Sequence, residues 1–315
     1  MITNNFLDAV LDHYGLAGKP VEPLNQGADN FTASVNSEFV LRCYRVTPAE
    51  EVDVELDLID HLVERGFPTP RVLRTADGAR RVEHEGTHAV LFELVPGSPI
   101  DEDAPASRRT VAELAASLHL ATADLPAGAR RSRSDRGRIQ NLLAELDAGG
   151  PLATKAGASE LAGELRTLLS EVDDLLGAGL PHGAVHHDYY HENVLVDAGG
   201  RVLGLIDFDE AYPGPVVLDV AALLTTWATD DEDRFDTAAM RSLLADYERV
   251  RPLSDRERAA LPLAVRVFNA ADAAEYIQRN HRKRPDAFEI AECRSLQTYH
   301  ALTSQHDWLR GFATD

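Results

Sequence analysis

Cysteine is scarce in this chain of 315 residues: Cys43 and Cys293 stand alone and far apart. Two distant thiols supply no disulfide framework, so both are expected to be buried and inert. Long apolar runs are missing too. None approaches the roughly 20 residues that span a bilayer, and Met1-Ile2-Thr3-Asn4-Asn5 lacks a basic region followed by an apolar block. The expectation is cytoplasmic residence with no membrane partner. Positive charge is also short, with 31 Lys and Arg against 52 Asp and Glu and a formal charge of -21. That excess repels phosphates and excludes general binding to nucleic acid. It favours cationic small molecules, although acidic surfaces also serve solubility. No internal repeat or low-complexity tract is present.

What is there is ordinary globular composition, 44% hydrophobic and 26% charged, in a chain long enough for two lobes with full cores. The chemistry concentrates in residues 185–209, V-H-H-D-Y-Y-H-E-N-V-L-V-D-A-G-G-R-V-L-G-L-I-D-F-D. His186 and Asp188 are followed by Asn193, a short apolar run, Gly199-Gly200, a second apolar run and Asp207. The two runs read as a hairpin that brings Asn193, at the start of one strand, close to Asp207, at the end of the other. Carboxylate, carboxamide and second carboxylate in this order suit phosphoryl transfer, in which one acid meets the attacking hydroxyl and the other two groups hold Mg²⁺. The rival is a zinc site on His182, His186, His187 and His191, the last two sharing a face if helical. The zincin spacing H-E-x-x-H is absent.

The H-x-D-x-x-x-x-N loop followed by I-D-F, at His186, Asp188, Asn193, Ile206, Asp207 and Phe208, resembles the kinase-like phosphotransferase family of aminoglycoside phosphotransferases, choline kinases and type II homoserine kinases. The resemblance implies an α+β, bilobal protein-kinase-like fold. Residues 1–95 would form a small antiparallel nucleotide-binding lobe and residues 96–315 a mostly helical catalytic and substrate lobe. It implies Asp188 as catalytic base, Asn193 and Asp207 as Mg²⁺ ligands, His186 as a brace for the loop, and the buried Asp219 of V-V-L-D-V-A-A-L-L as its support. ATP, with GTP open, is the implied phosphoryl donor, and a small-molecule hydroxyl the acceptor, whether an aminoglycoside-like antibiotic, homoserine or another amino alcohol. A catalytically silent nucleotide-binding regulator is the alternative. Monomer and homodimer both stay open.

By the same resemblance, Gly27 with Asn30 belongs to a reduced nucleotide-covering loop, and the backbone from Glu93 to Val95 to a hinge that meets the adenine edge. Arg42 stands where relatives usually carry lysine; its fork is a wider, permanently charged phosphate grip. Glu55 is its expected partner from the following helix. Tyr189, Tyr190 and His191 would shape the acceptor pocket, and Asp209 would serve substrate or metal. Relatives commonly have glycine where this chain has His187, whose bulk is expected to narrow the acceptor site. The phrase starting at Tyr247 and the early H-Y-G-L resemble type II homoserine kinases and bear on ancestry alone.

Periodicity adds a helix over 5–15, strands within 24–44, an amphipathic helix over 52–66, and strand runs at 71–74, 80–84 and 88–94. Further helices are expected over 109–123, 138–148, 159–177, 216–229, 233–250, 254–281 and 286–312. His119 reads as a core or helix-end histidine, and the arginines at 130, 131, 133, 136 and 138 as a solvated loop.

Overall fold

A computed structural model describes residues 2–25, 30–125, 134–228 and 236–304. In chain order these form α1 (Asn4–Asp12), β1 (Val21–Asn25), β2 (Asn30–Val35), β3 (Phe39–Tyr44), α2 (Ala49–Glu64), β4 (Val82–His84), β5 (Thr87–Glu93) and β6 (Ser98–Pro99). Next come α3 (Ser107–Ala121), α4 (Asp135–Asp147), α5 (Ala158–Gly177) and β7 (His182–Val185), then the hairpin strands β8 (Val194–Val196) and β9 (Val202–Leu205). The chain continues through β10 (Tyr212–Pro215), α6 (Val216–Trp227), α7 (Thr237–Glu248), α8 (Asp255–Lys283) and α9 (Arg294–Ser304). These fall into two compact units, Met1–Asp101 with His191–Asp209, and Glu102–Tyr190 with Glu210–Asp315. A single cut after residue 95 is therefore not how the chain divides; the hairpin returns to the first unit.

The first unit is built on a five-stranded antiparallel sheet ordered β1-β2-β3-β5-β4. Alternation buries Phe31, Ala33 and Val35 on β2 and Leu41 and Cys43 on β3, and α1 covers that face with Phe6, Leu7, Val10 and Leu11. Thr3 starts α1 by accepting the Phe6 N–H at 3.2 Å. Arg42 lies mid-sheet, opposite Thr32 on β2 and Val90 on β5. In α2 the helical stripe Val52, Leu56, Ile59 and Leu62 is buried, and Glu55 shares it. Of the expected run at 71–74, only Val72 bridges, to Phe92.

β6, β8 and β9 form a second small sheet in this unit. Gly97 and Gly204 permit it: a Cβ on Gly97 would sit 3.0 Å from the Leu195 Cβ, and one on Gly204 3.1 Å from both Val95 methyls. The hairpin closes on Asp197, whose Oδ1 accepts from the Gly199 and Arg201 amides at 2.9 and 3.0 Å.

The second unit packs α3 to α9 around α6, whose residues from Val216 to Leu224 are all buried, with β7 and β10 paired antiparallel so that Val185 faces Tyr212. Ser254 and Glu257 form a capping box that starts α8. The last helix begins at Arg294 rather than 286, because a 3-10 turn at Ile290–Glu292, with its own Glu289 cap, intervenes. Its expected continuation past 304 lies outside the described residues.

Candidate active site

In the first unit the hairpin sets the geometry. Val194 pairs with Leu205, and the Ile206 N–H donates to the Asn193 carbonyl at 3.0 Å, so Asn193 and Asp207 leave the ribbon at the same end. Asp207 has φ +69°, a left-handed turn that an aspartate tolerates better than most residues. Arg42 meets it from β3: Nη1 donates to Asp207 Oδ1 at 2.6 Å and Nη2 to Asp209 Oδ2 at 2.7 Å. Asn30, at the start of β2, donates to the same Asp209 oxygen at 2.8 Å. Gly27 lies outside the described residues.

The expected Arg42–Glu55 pair is corrected by this geometry. Arg42 spends its fork on Asp207 and Asp209, whereas Glu55 Oε1 accepts the Tyr44 hydroxyl at 2.9 Å. Glu55 is 2% exposed, and burial, only partly offset by the Arg42 charge, raises its pKa to about 7. Tyr44, over whose ring the guanidinium sits at 5.5 Å, had a sequence signal: it shares the Arg42 face of β3. Burial and the adjacent Asp209 likewise raise Asp207 to about 6, against the opposing pull of Arg42. At this end of the hairpin two carboxylates, Asp207 and Asp209, share the one guanidinium of Arg42. Two carboxylates and the Asn193 carboxamide are hard oxygen donors that fit a Mg²⁺ ion.

At the expected hinge, the Glu93 and Leu94 amides donate to the carbonyls of Arg71 and Glu38, both at 2.9 Å. The Val95 carbonyl accepts from Gly97 at 2.9 Å, and the Val95 side chain packs on Gly204.

In the second unit the loop after β7 carries His186, His187, Asp188, Tyr189 and Tyr190. Asp219, fully buried on α6, holds it: one oxygen accepts the His187 N–H at 2.8 Å and the other the Tyr189 hydroxyl at 2.5 Å and His119 Nε2 at 2.7 Å. Burial would raise the Asp219 pKa, but these donors outweigh it and the pKa is lowered. An ionised Asp219 accepts only, so His119 carries its proton on Nε2. His119 Nδ1 lies 2.6 Å from the Tyr247 hydroxyl, which accepts from Arg251 at 3.1 Å. Tyr247 therefore has a structural task beyond ancestry, one invisible without the fold. His186 is buried and takes the Asp188 N–H on Nδ1 at 3.2 Å. Trp227 donates to the Tyr189 carbonyl at 2.6 Å, and Tyr190 is 57% exposed.

The His187 side chain, 4% exposed, turns into the core and places Nε2 2.7 Å from Asp135 Oδ1. The neighbouring Arg138 is buried on α4 rather than in a solvated loop, paired with Glu210 at 2.5 Å and Glu275 at 3.0 Å. Arg136 pairs with Asp173 at 2.6 Å; the arginines at 130, 131 and 133 lie outside the described residues. No group of three or more His, Cys, Asp or Glu side chains forms a metal site among the described residues, and the four loop histidines do not gather. No helix among the described residues is long and apolar enough to cross a membrane.

The profile of the family described as "Phosphotransferase enzyme family" matches residues 20–253. The homoserine kinase of Caulobacter vibrioides (strain NA1000 / CB15N) is 31% identical over 277 residues, covering 84% of each chain. Among solved structures, the aminoglycoside phosphotransferase of Alicyclobacillus acidocaldarius superposes with a TM-score of 0.65 at 20% identity, over 99% of this chain and 95% of that one. Amicoumacin kinase in complex with AMP-PNP and Ca²⁺ gives 0.67 at 16% identity, over 99% and 93%. The fold is thus the α+β protein-kinase-like one, and the chain belongs to the phosphotransferase enzyme family, as a small-molecule kinase.

Proposed function

We propose that this enzyme transfers the γ-phosphoryl group of ATP to the hydroxyl of a small amino alcohol, homoserine being the first acceptor to test. The observation that carries the reading is the common end of the hairpin, where Asn193 and Asp207 emerge together and Arg42 anchors to Asp207 and Asp209. The homoserine kinase likeness over most of the chain supports the acceptor class, and the relative bound to AMP-PNP and Ca²⁺ supports ATP with a divalent ion. The first unit, with the hairpin that returns to it, would bind the nucleotide, with Gly27, Asn30 and the Glu93–Val95 backbone around it, and the second unit would supply the loop of Asp188 and the acceptor site.

Asn193 and Asp207 would hold Mg²⁺, which when bound supplies charge neutralisation on the phosphate oxygens. Asp188 orients the acceptor hydroxyl and takes its proton as the bond to phosphorus forms. Asp219 holds the His187 N–H, His186 the Asp188 N–H and Trp227 the Tyr189 carbonyl, so the backbone around Asp188 is fixed before the acceptor arrives. Arg42, whose fork holds Asp207 and Asp209, would steady phosphate oxygens only once those carboxylates are taken up by the bound nucleotide and its ion. Positioning and electrostatics supply the rate enhancement, since phosphoryl transfer asks little covalent chemistry of the protein. Tyr190 would border the acceptor, and Asp209, held by Arg42 and Asn30, would serve substrate or metal rather than act as a base.

The test is acceptor-dependent ADP release across L-homoserine, ethanolamine, choline, aminopropanol and an aminoglycoside, with the phosphomonoester identified by ³¹P NMR. Turnover with a small amino alcohol supports the proposal. MgATP binding without transfer to any of them contradicts it.

A further inference from the structure

Residue 187 has φ +77°, a backbone conformation that suits glycine and costs other residues on the order of 1–2 kcal/mol. A buried histidine occupies it instead. Its backbone N–H is held by Asp219 at 2.8 Å, and its side chain stands in ion-pair contact with Asp135, Nε2 to Oδ1 2.7 Å, at an angle that makes no hydrogen bond, with both side chains almost wholly buried. The ring lies between Phe268 and Tyr212, with centroids 5.0 and 5.9 Å away.

The Asp135 end is equally fixed. Asp135 is the first residue of α4, behind the Ser134 cap, where the helix dipole favours a carboxylate. Its other oxygen accepts the Tyr212 hydroxyl at 2.7 Å. One turn later Arg138 ties α4 to Glu210 and to Glu275 of α8. Burial alone would depress His187 and raise Asp135; each group's charge reverses the other's shift, so His187 is raised and Asp135 lowered, the directions that favour an ion pair.

We propose that His187, through its buried ion pair with Asp135, is a positioning residue for Asp188, fixing the strained turn that aims the neighbouring carboxylate. The proposal rests on the phosphotransfer reading above for its kinetic consequence, though not for its structural one. A glycine at 187 would adopt the same φ without strain but would leave the turn free to open. The device thus exchanges backbone comfort for a fixed direction at the next residue, and α4 becomes part of the catalytic apparatus although none of its side chains need touch substrate.

The test compares full-length wild type with His187→Gly, Asp135→Asn and the double variant, which carries no uncompensated buried charge and folds even if a single variant does not. Amide exchange at residues 188–190 should quicken at least about tenfold in each. With the best acceptor, kcat should fall about 10–100-fold, the scale of a misplaced catalytic group. KM for MgATP should hold within about twofold, since the nucleotide side is untouched. The double variant should be no worse than His187→Gly alone, because the two residues act as one unit. Wild-type exchange and kcat in His187→Gly, or losses that multiply in the double variant, would overturn the proposal. If wild type phosphorylates no acceptor, the functional reading fails, and the exchange comparison alone decides for or against the tether.

Discussion

Replacing Glu55 with glutamine removes a proton-binding group from the core of the first unit while keeping an oxygen to accept the Tyr44 hydroxyl. In the folded chain the Glu55 pKa stands at about 7 against an ordinary 4.5, chiefly through burial, with Asp209 and Asp207 adding to it and Arg42 opposing. The folded state therefore holds this proton more tightly than the unfolded one. Its contribution to stability is fully present below the unfolded value and is lost as pH rises through about 7. At 1.36 kcal/mol per pKa unit, the loss amounts to about 3 kcal/mol by pH ~8.5 and to about 1 kcal/mol at pH ~5. Urea unfolding of both proteins in EDTA, followed by circular dichroism across that range, gives the difference directly. Glu55→Gln should gain on wild type as pH rises, by about 2 kcal/mol between the two ends. A difference that stays constant with pH, or shrinks as pH rises, refutes the reasoning.

Arg42→Met removes the cation between Asp207 and Asp209 and should cost about 1–3 kcal/mol of stability without divalent ions. Added Mg²⁺ should raise the melting temperature more in this variant than in wild type, which calorimetry with and without MgCl₂ reads. Asp219→Asn replaces an acceptor that serves three donors with a group that is half donor, at a cost of about 3 kcal/mol or more at neutral pH. Because the Asp219 pKa is lowered, that contribution is present above the ordinary aspartate value and is lost as pH falls through the lowered one. The gap between wild type and Asp219→Asn should thus narrow in acid, as denaturation at pH ~7 and pH ~3 would show.

What the sequence discloses here follows the reach of its signals. The hairpin from Val194 to Leu205 was legible because two apolar runs flank a Gly-Gly turn, and it carries Asn193 and Asp207 to one end by register alone. The stripes of α1 and α2 were legible from helical spacing. Charge partners were not, since periodicity assigns a face but not a neighbour: Glu55 sat on the correct face of α2, yet Asp207 and Asp209, far along the chain, took Arg42. The same limit hid Asp135, which follows an arginine-rich stretch that draws attention to its cations. His119, Asp219 and Tyr247 each stood out separately, but only the packing of α3 against α6 and α7 joins them into one hydrogen-bonded chain.

The most direct test of phosphoryl transfer through this loop is a single-turnover measurement with γ-labelled ATP, excess enzyme and the best acceptor, in wild type and Asp188→Asn. The account predicts retained MgATP affinity and a transfer rate lowered about 10²–10⁴-fold, the contribution typical of a positioned general base. Transfer at the wild-type rate in Asp188→Asn would contradict it.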